Sequence, residues 1–427
     1  MSSPPQAADK AVVLNVQGPI GPATSHYFER GLAHATDQKA RFLLLRLDTP
    51  GGLDTAMREI IKLILAAPIP IIVYVAPEGA RAASAGTFIL YAAHVAAMAP
   101  ATNLGAATPV PITSPATLPN SDRTGSTPQN AKTSKIVNDA VAYIRSLAQL
   151  RQRNAEWAET AVREGASLSA KDALENEVID LVAVDIESLL QQLHGLTVLV
   201  NGVDTTLDTE NIQLEEYFPD WRTQLLEIIT NPNIAYILML IGIYGLIFEL
   251  TNPGTIISGV IGAISLLLAL YAFQVLPVNY AGLALIVLGI ILMVAEALDP
   301  GIGILGFGGL IAFVAGSILL MDSDVPGFAI SPALIGSIAF IAAVGLFAVL
   351  NMALRARRRP VVSGQEEMIG AKAIALDGFS HRGRVHFEGA LWNAETQSPV
   401  TQGQEVIVTG MDGLILHVKP YKEHKHE

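Results

Sequence analysis

Short apolar runs alternate with stretches of helical period over residues 10–195. Strands are expected at residues 12–16, 42–47, 69–75 and 95–98, and helices at 23–35, 54–66 and 84–93. This alternation predicts a βαβ domain with a largely parallel sheet. Residues 109–129 are rich in Pro, Ser and Thr and poor in apolar residues, which predicts a mobile loop. An amphipathic helix at 132–154, a short helix capped by Ser169 and a closing strand at 178–182 follow. Residues 196–218 read as a small β excursion turning at Asn201-Gly202.

The pattern changes at Ile234. Five apolar runs, 234–250, 256–275, 280–298, 302–321 and 330–354, are each long enough to cross a bilayer core. No Lys or Arg occurs from Ile234 to Leu354, so this is a membrane protein with soluble parts. Tyr217, Phe218 and Trp221 precede the first run, where amphipathic rings favour the interface. Glu249-Leu250-Thr251-Asn252-Pro253-Gly254 and Glu296-Ala297-Leu298-Asp299-Pro300-Gly301 align at one offset, which also relates Gly259 to Gly306 and Gly262 to Gly309. A repeated helix, Pro-Gly break, helix unit is expected. Glu249 and Glu296 are either functional intramembrane acids or, the reading preferred here, simply hydrated near the interface. Arg355, Arg357, Arg358 and Arg359 follow the fifth run and mark a cytoplasmic end. Five crossings then put the N-terminal domain outside the cytoplasm; a re-entrant hairpin reverses that. Residues 364–420 alternate at 371–376, 384–387, 405–409 and 414–418 with Gly-containing turns, as a small five-stranded barrel of the OB type does.

Composition narrows the picture. The 427-residue chain carries a formal net charge of −12 and has no basic run with interleaved aromatics, which argues against a nucleic-acid partner. Absence of Cys excludes disulfides, Fe–S clusters and thiol catalysis. No metal-ligand spacing and no cofactor motif is found. The first residues lack the basic start and apolar run of a secretory signal, so such a signal is expected to have been removed or replaced. The tail His424-Lys425-His426-Glu427 is expected to be frayed and solvated.

The candidate chemistry lies in the first domain. Ser84 stands in Arg81-Ala82-Ala83-Ser84-Ala85-Gly86-Thr87, after the Gly-Gly turn of Asp48-Thr49-Pro50-Gly51-Gly52 and before a Lys-bearing helix at Lys135. A small-residue run alone is more often a tightly packed helix start. Together the three segments suggest a nucleophile, an oxyanion pocket and a base. A serine hydroxyl needs a neighbouring base, and a lysine serves when it is desolvated. Lys135 is the candidate and Lys132, one turn earlier, competes with it; the bland reading makes both solvated. Gly51 and Gly52 permit close backbone approach, and the Ala85 N–H follows the nucleophile at a helix N-terminus, giving candidate oxyanion donors. Among histidines, His94 should sit too far from Ser84, and His26 and His34 read as solvated.

These motifs, with Met98-Ala99-Pro100, Asn103-Leu104-Gly105-Ala106-Ala107 and Lys135-Ile136-Val137-Asn138, resemble the long form of the NfeD membrane-bound serine proteases. That family belongs to the superfamily of the Clp protease subunit and signal peptide peptidase A. Leu276 to Tyr280 and Gly389-Ala390-Leu391-Trp392-Asn393-Ala394 fit as well, so the resemblance covers nearly the whole chain. It implies an α/β Clp/crotonase-like protease domain, an all-α transmembrane bundle and a small all-β OB-type barrel. The corresponding ranges are 1–195, then a linker and interfacial segment at 196–232, the membrane region at 233–354 and the barrel at 360–420. It implies a Ser–Lys dyad on Ser84 and Lys135, oxyanion donors at Gly51, Gly52 and Ala85, and no cofactor. It also implies a stomatin-like (SPFH) partner cleaved in an apolar segment, membrane lipid around the spans and a homo-oligomer, at least a protease-domain dimer. The expected location is the cell inner membrane, multi-pass, with the protease domain extracytoplasmic and the barrel cytoplasmic. Thr108 stands where Clp proteases carry a catalytic His, which argues against a Ser–His–Asp triad. The competing reading is a scaffold for a stomatin-like assembly, with latent or secondary protease activity.

Overall fold

The computed structural model describes residues 9–109, 128–254, 256–299, 303–321, 327–357 and 368–421. The expected leader position, most of the polar loop, Pro300-Gly301, Arg358, Arg359 and the His-containing tail lie outside the described residues.

The N-terminal part begins β1 (Lys10–Gln17), α1 (Pro22–Asp37), β2 (Leu43–Asp48), α2 (Asp54–Ala66), β3 (Ile71–Val75), β4 (Arg81–Ala83) and α3 (Ala85–Ala92). It continues with β5 (Val95–Met98), β6 (Asn103–Gly105), α4 (Pro128–Leu150), α5 (Ala155–Arg163), β7 (Ser167–Ser169), α6 (Ala170–Glu175), β8 (Leu181–Val182) and α7 (Ile186–Leu193). A hairpin, β9 (Thr197–Val200) and β10 (Val203–Thr206), turns at Asn201 and Gly202 with φ of 48° and 79°. Such a two-residue turn needs left-handed backbone at both positions, which Asn-Gly supplies.

The main sheet has the order β11-β1-β2-β3-β5-β8 and every pairing is parallel. β3 and β5 are buried along their whole length. That explains their unbroken apolar sequences, since helices cover both faces of a parallel sheet. A second, small sheet, β4-β6-β7, stands at the carboxyl ends of these strands and carries the segment leading to Ser84. β11 (Gln213–Glu216) comes from the range expected to be a linker, yet pairs with β1. Its polar, mostly exposed Gln-Leu-Glu-Glu hides an edge strand from a search for apolar runs.

α8 (Trp221–Ile229) leads into the membrane region, α9 (Pro232–Thr251), α10 (Ile257–Val275), α11 (Tyr280–Leu298), α12 (Ile304–Leu320) and α13 (Pro332–Arg357). Four of these, α9, α10, α11 and α13, are long and apolar enough to cross a bilayer, and the chain is a multi-pass membrane protein. The fourth expected run forms a helix of 17 residues, shorter than its 20-residue apolar stretch, because Gly303 at φ 88° sets the start late.

α9–α10 and α11–α12 are two hairpins built alike. A Cβ on Gly242 would stand 2.7 Å from the Leu266 side chain, and one on Gly289 would stand 2.6 Å from Gly309 O. Small residues thus bring the backbones together, as membrane helix pairs require. The two acids are not simply hydrated. Glu249 accepts hydrogen bonds from Ile256 N–H (3.1 Å) and Ser258 Oγ (2.7 Å). Glu296, only 4% exposed, accepts from Gly303, Leu305 and Gly306 N–H at 3.1, 3.2 and 3.3 Å. Each carboxylate therefore caps the free N–H groups opening the next helix.

The C-terminal unit is a closed barrel, β12-β13-β14-β16-β15, of β12 (Lys372–Ala375), β13 (Arg382–Phe387), β14 (Ala390–Thr396), β15 (Glu405–Asp412) and β16 (Ile415–Pro420). Val385, Val406, Val408 and Leu416 are fully buried in its core.

Candidate active site

Ser84 is the N-cap of α3 and has φ 53° and ψ −114°. A side chain with a Cβ is strained there, and such strain persists only where the surroundings impose it. Ser84 N–H donates to Gly105 O (2.9 Å). Thr87, fully buried, shares its one hydroxyl proton between Ala82 O (2.8 Å) and Gly105 O (3.0 Å), and its Oγ1 accepts from Gly105 N–H (3.1 Å). One threonine thus ties β4, β6 and the first turn of α3 together. Nothing in the local apolar pattern distinguishes it; its place three residues after the serine is the available signal.

The Gly51-Gly52 turn faces Ser84. Gly51 has φ 119°, and a Cβ there would lie 2.7 Å from Ser84 Cβ and 3.1 Å from Ser84 Oγ, so both strain and space demand glycine. Thr49 Oγ1 donates to Gly51 O (3.0 Å) and accepts from Gly51 N–H (3.1 Å). The Gly51 N–H is therefore engaged. Among the described residues, the Gly52 and Ala85 N–H groups have no acceptor. A Cβ on Gly86 would meet Thr49 Cγ2 at 2.6 Å, which shows how closely α3 starts against the turn.

Lys135 lies near the start of α4 and is exposed; among the described residues it makes no hydrogen bond to Ser84. Lys132 is in the same helix, and its side chain lies outside the described residues. α4 is nevertheless fixed beside the site. Asp139, one turn after Lys135, binds Arg58 (2.6 Å), which also binds Asp54 at the start of α2 (2.8 Å). Arg58 lies 4.5 Å over the Tyr143 ring, and Tyr143 stacks on Phe88 of α3 with centroids 6.1 Å apart. Burial raises the Tyr143 hydroxyl above its ordinary pKa.

The histidines are elsewhere. His94 Nδ1 accepts from Ile71 N–H (3.1 Å), and burial, reinforced by Arg151 and Arg153, pushes its pKa down to about 3. It is a neutral structural acceptor at the far end of α3. His26 and His34 are less solvated than expected: His26 approaches Thr223 Oγ1 (3.4 Å) and His34 pairs with Glu215 (2.9 Å). Thr108 sits beside Gly165. At the other end of α3, buried Arg153 donates to the carbonyls of Leu90, Tyr91 and Ala93 and pairs with Asp180. A cation there complements the helix dipole. Among the described residues no cluster of three metal-ligating side chains occurs.

Comparison with known proteins shows the family. Residues 10–196 match the NfeD1b N-terminal domain, 233–352 the NfeD integral membrane domain and 365–420 the NfeD-like C-terminal, partner-binding domain. The chain is 36% identical over 428 residues to membrane-bound protease PH1510 of Pyrococcus horikoshii, covering 98% of this chain and 95% of that protein. It is 28% identical over 318 residues to membrane protein NfeD1b of Bacillus subtilis, covering 72% and 68%. Among solved structures, a serine-to-alanine variant of the 1510-N membrane-bound stomatin-specific protease is 37% identical, covering 50% of this chain and 100% of that one, with a TM-score of 0.45. Its lysine-to-alanine variant in complex with a substrate peptide is 36% identical, covering 52% and 99%, with a TM-score of 0.46. The three family-model matches, which cover nearly the whole chain, and the 36% identity to PH1510 make the chain a member of the NfeD family in its long form.

Proposed function

We propose that this chain is an integral membrane serine endopeptidase that cleaves an apolar segment of a stomatin-like membrane protein. The observation that carries the reading is the strained Ser84, held at a helix N-terminus opposite Gly51-Gly52, with two N–H groups left without acceptors. Ser84 Oγ attacks the peptide carbonyl while the Lys135 amine takes its proton. The Gly52 and Ala85 N–H groups hold the oxyanion, and Gly51 supplies close approach. The tetrahedral species collapses, Lys135 returns the proton to the leaving amine, and water then attacks the acyl-enzyme with Lys135 again as base. Lys135 is exposed in the single chain, so the desolvation that leaves a lysine amine neutral and able to accept a proton is supplied when an apolar substrate covers it.

The relatives support the partner class: one is a stomatin-specific protease, and the C-terminal family is described as partner-binding. The domain ranges 1–195, 196–232, 233–354 and 360–420, with β11 of the second range completing the first domain's sheet, a homo-oligomer and surrounding lipid complete the proposal. The protease domain is placed outside the cytoplasm and the barrel inside, which requires α12 to cross; its 17 residues rise about 25 Å, at the short end for a span. The exposed Lys135, not bonded to Ser84, favours one alternative, a scaffold whose proteolysis is latent.

Purified protein, Ser84→Ala, Lys135→Ala and Lys132→Ala are compared on an apolar peptide. Loss of cleavage in the first two, by at least about a thousandfold, is expected. Equal cleavage by wild type and Ser84→Ala removes the protease assignment, and loss in Lys132→Ala alone among the lysines moves the base.

A further inference from the structure

Residues 18–21 run between the Gly51-Gly52 turn and the membrane region. On one side, Ile20 N–H donates to Gly51 O (2.8 Å) and Ile20 O accepts from Leu53 N–H (2.8 Å). A Cβ on Gly52 would stand 2.1 Å from Ile20 O, so the turn rests directly on the Ile20 backbone. Gly18 N–H donates to Asp48 O (2.9 Å), fixing the other end of the loop to β2.

On the opposite side the loop meets the connector between α12 and α13. A Cβ on Gly21 would lie 3.2 Å from Phe328 Cζ, and one on Gly327 would lie 2.9 Å from Pro19 Cγ. Phe328 is 4% exposed and Ile330 5%, although neither belongs to the protease domain. The connector is tied to the first span as well, because Ser331 N–H donates to Asn233 Oδ1 (2.8 Å) in the first turn of α9. Contacts therefore run unbroken from α9 through Phe328 and the Pro19 to Gly21 loop to the turn opposite Ser84.

We propose that Phe328 is a positioning residue for the Gly51-Gly52 turn, so that the membrane connector sets the geometry of the oxyanion pocket. The proposal rests on reading that turn as the pocket. Ile20 is bonded on both sides of Gly52, so a shift of Ile20 carries the Gly52 N–H with it. An oxyanion donor works within a few tenths of an ångström of its optimum distance. Removing the Phe328 ring leaves a void beside Gly21 into which the loop can relax. Gly21, Ile20 and the turn separate Phe328 from Ser84 along this path, so its loss is expected to act on the transition state rather than on substrate binding.

The test measures kcat and KM on an apolar peptide, and affinity for a peptide boronic acid, whose adduct with Ser84 places an oxygen where the oxyanion forms. Full-length protein in detergent is used, with Ser84→Ala alongside. Phe328→Ala is expected to lower kcat about tenfold with KM within about twofold, and to weaken boronate binding about tenfold. Phe328→Tyr, which keeps the ring, restores both. Wild-type kcat in Phe328→Ala, a rise in KM at constant kcat, or a fall in kcat with boronate affinity unchanged each overturns the proposal. If Phe328→Ala does not fold, Phe328→Leu and Phe328→Val decide, and wild-type kcat in both overturns it. Cleavage by Ser84→Ala equal to wild type overturns the oxyanion reading itself. An inert Ser84→Ala with a fully active Phe328→Ala overturns the positioning role alone.

Discussion

Single residues carry the candidate chemistry through backbone conformation more than through side-chain reactivity. Gly51 shows this most plainly, since its φ of 119° and the 2.7 Å approach to Ser84 Cβ exclude any Cβ. Gly51→Ala is expected to cut peptide cleavage by about a hundredfold or more while costing about 1–3 kcal/mol of stability. A steady-state assay paired with thermal unfolding checks this, and near-normal turnover would show that the turn tolerates displacement. His94 gives a second expectation. Its folded pKa, about 3, lies below its unfolded value of 6.5, so its stabilising contribution is complete above pH 6.5 and is lost as pH falls toward 3. Near pH 5 that loss is about 2 kcal/mol. His94→Gln should flatten the acid side of the unfolding-temperature profile, and an unchanged profile would show that other groups control it. Ser84 and the Gly51-Gly52 turn, which the structure sets face to face, stand in compact motifs visible in the sequence, whereas candidate Lys135 is exposed and not bonded to Ser84. Thr87 and Arg153 were not legible there, because their roles depend on carbonyls of other segments, Gly105 O for one and the end of α3 for the other.

At the scale of elements, legibility followed burial. β2, β3 and β5 are continuous apolar runs and were readable to within a residue or two. β11 and β14 were not assigned as strands, since one is a polar edge and the other alternates weakly through exposed Leu391 and half-buried Trp392. α8 was seen only as aromatics ahead of a span. In the structure its Trp221, Leu225 and Ile228 are 67%, 47% and 54% exposed and fall on one helix face. The opposite side is anchored to α1 through Asp220 on Arg30 and Thr223 near His26. With α9 beginning at Pro232, that apolar face is expected at the lipid headgroup boundary. With Trp157 and Trp392 replaced by Phe, Trp221 fluorescence is expected to be quenched by brominated lipid in reconstituted vesicles. Emission indifferent to bromination would place α8 in water.

For the whole molecule, the apolar pattern showed where the membrane region lies, but not the length of α12 or the bonding of the acids. Both depend on Gly303 and on N–H groups that only the folded hairpins present. Sidedness turns on the same helix. A cysteine introduced between residues 110 and 127 of this Cys-free chain is expected to react with an impermeant maleimide in intact cells. Labelling only after lysis would put the N-terminal domain in the cytoplasm.

The parallel pairing of Lys10–Val13 with Gln213–Glu216 has a consequence for biogenesis. β1 leaves the ribosome early, but its outer edge stays unpaired until β11 has emerged, by which point α8 and the first span are next in line. An open edge invites pairing with other chains, so the interval before β11 arrives is the vulnerable stage of synthesis. Completion of the sheet and delivery of the first span to the membrane thus follow one another closely in time, and a chain halted at residue 196 would carry its exposed edge indefinitely.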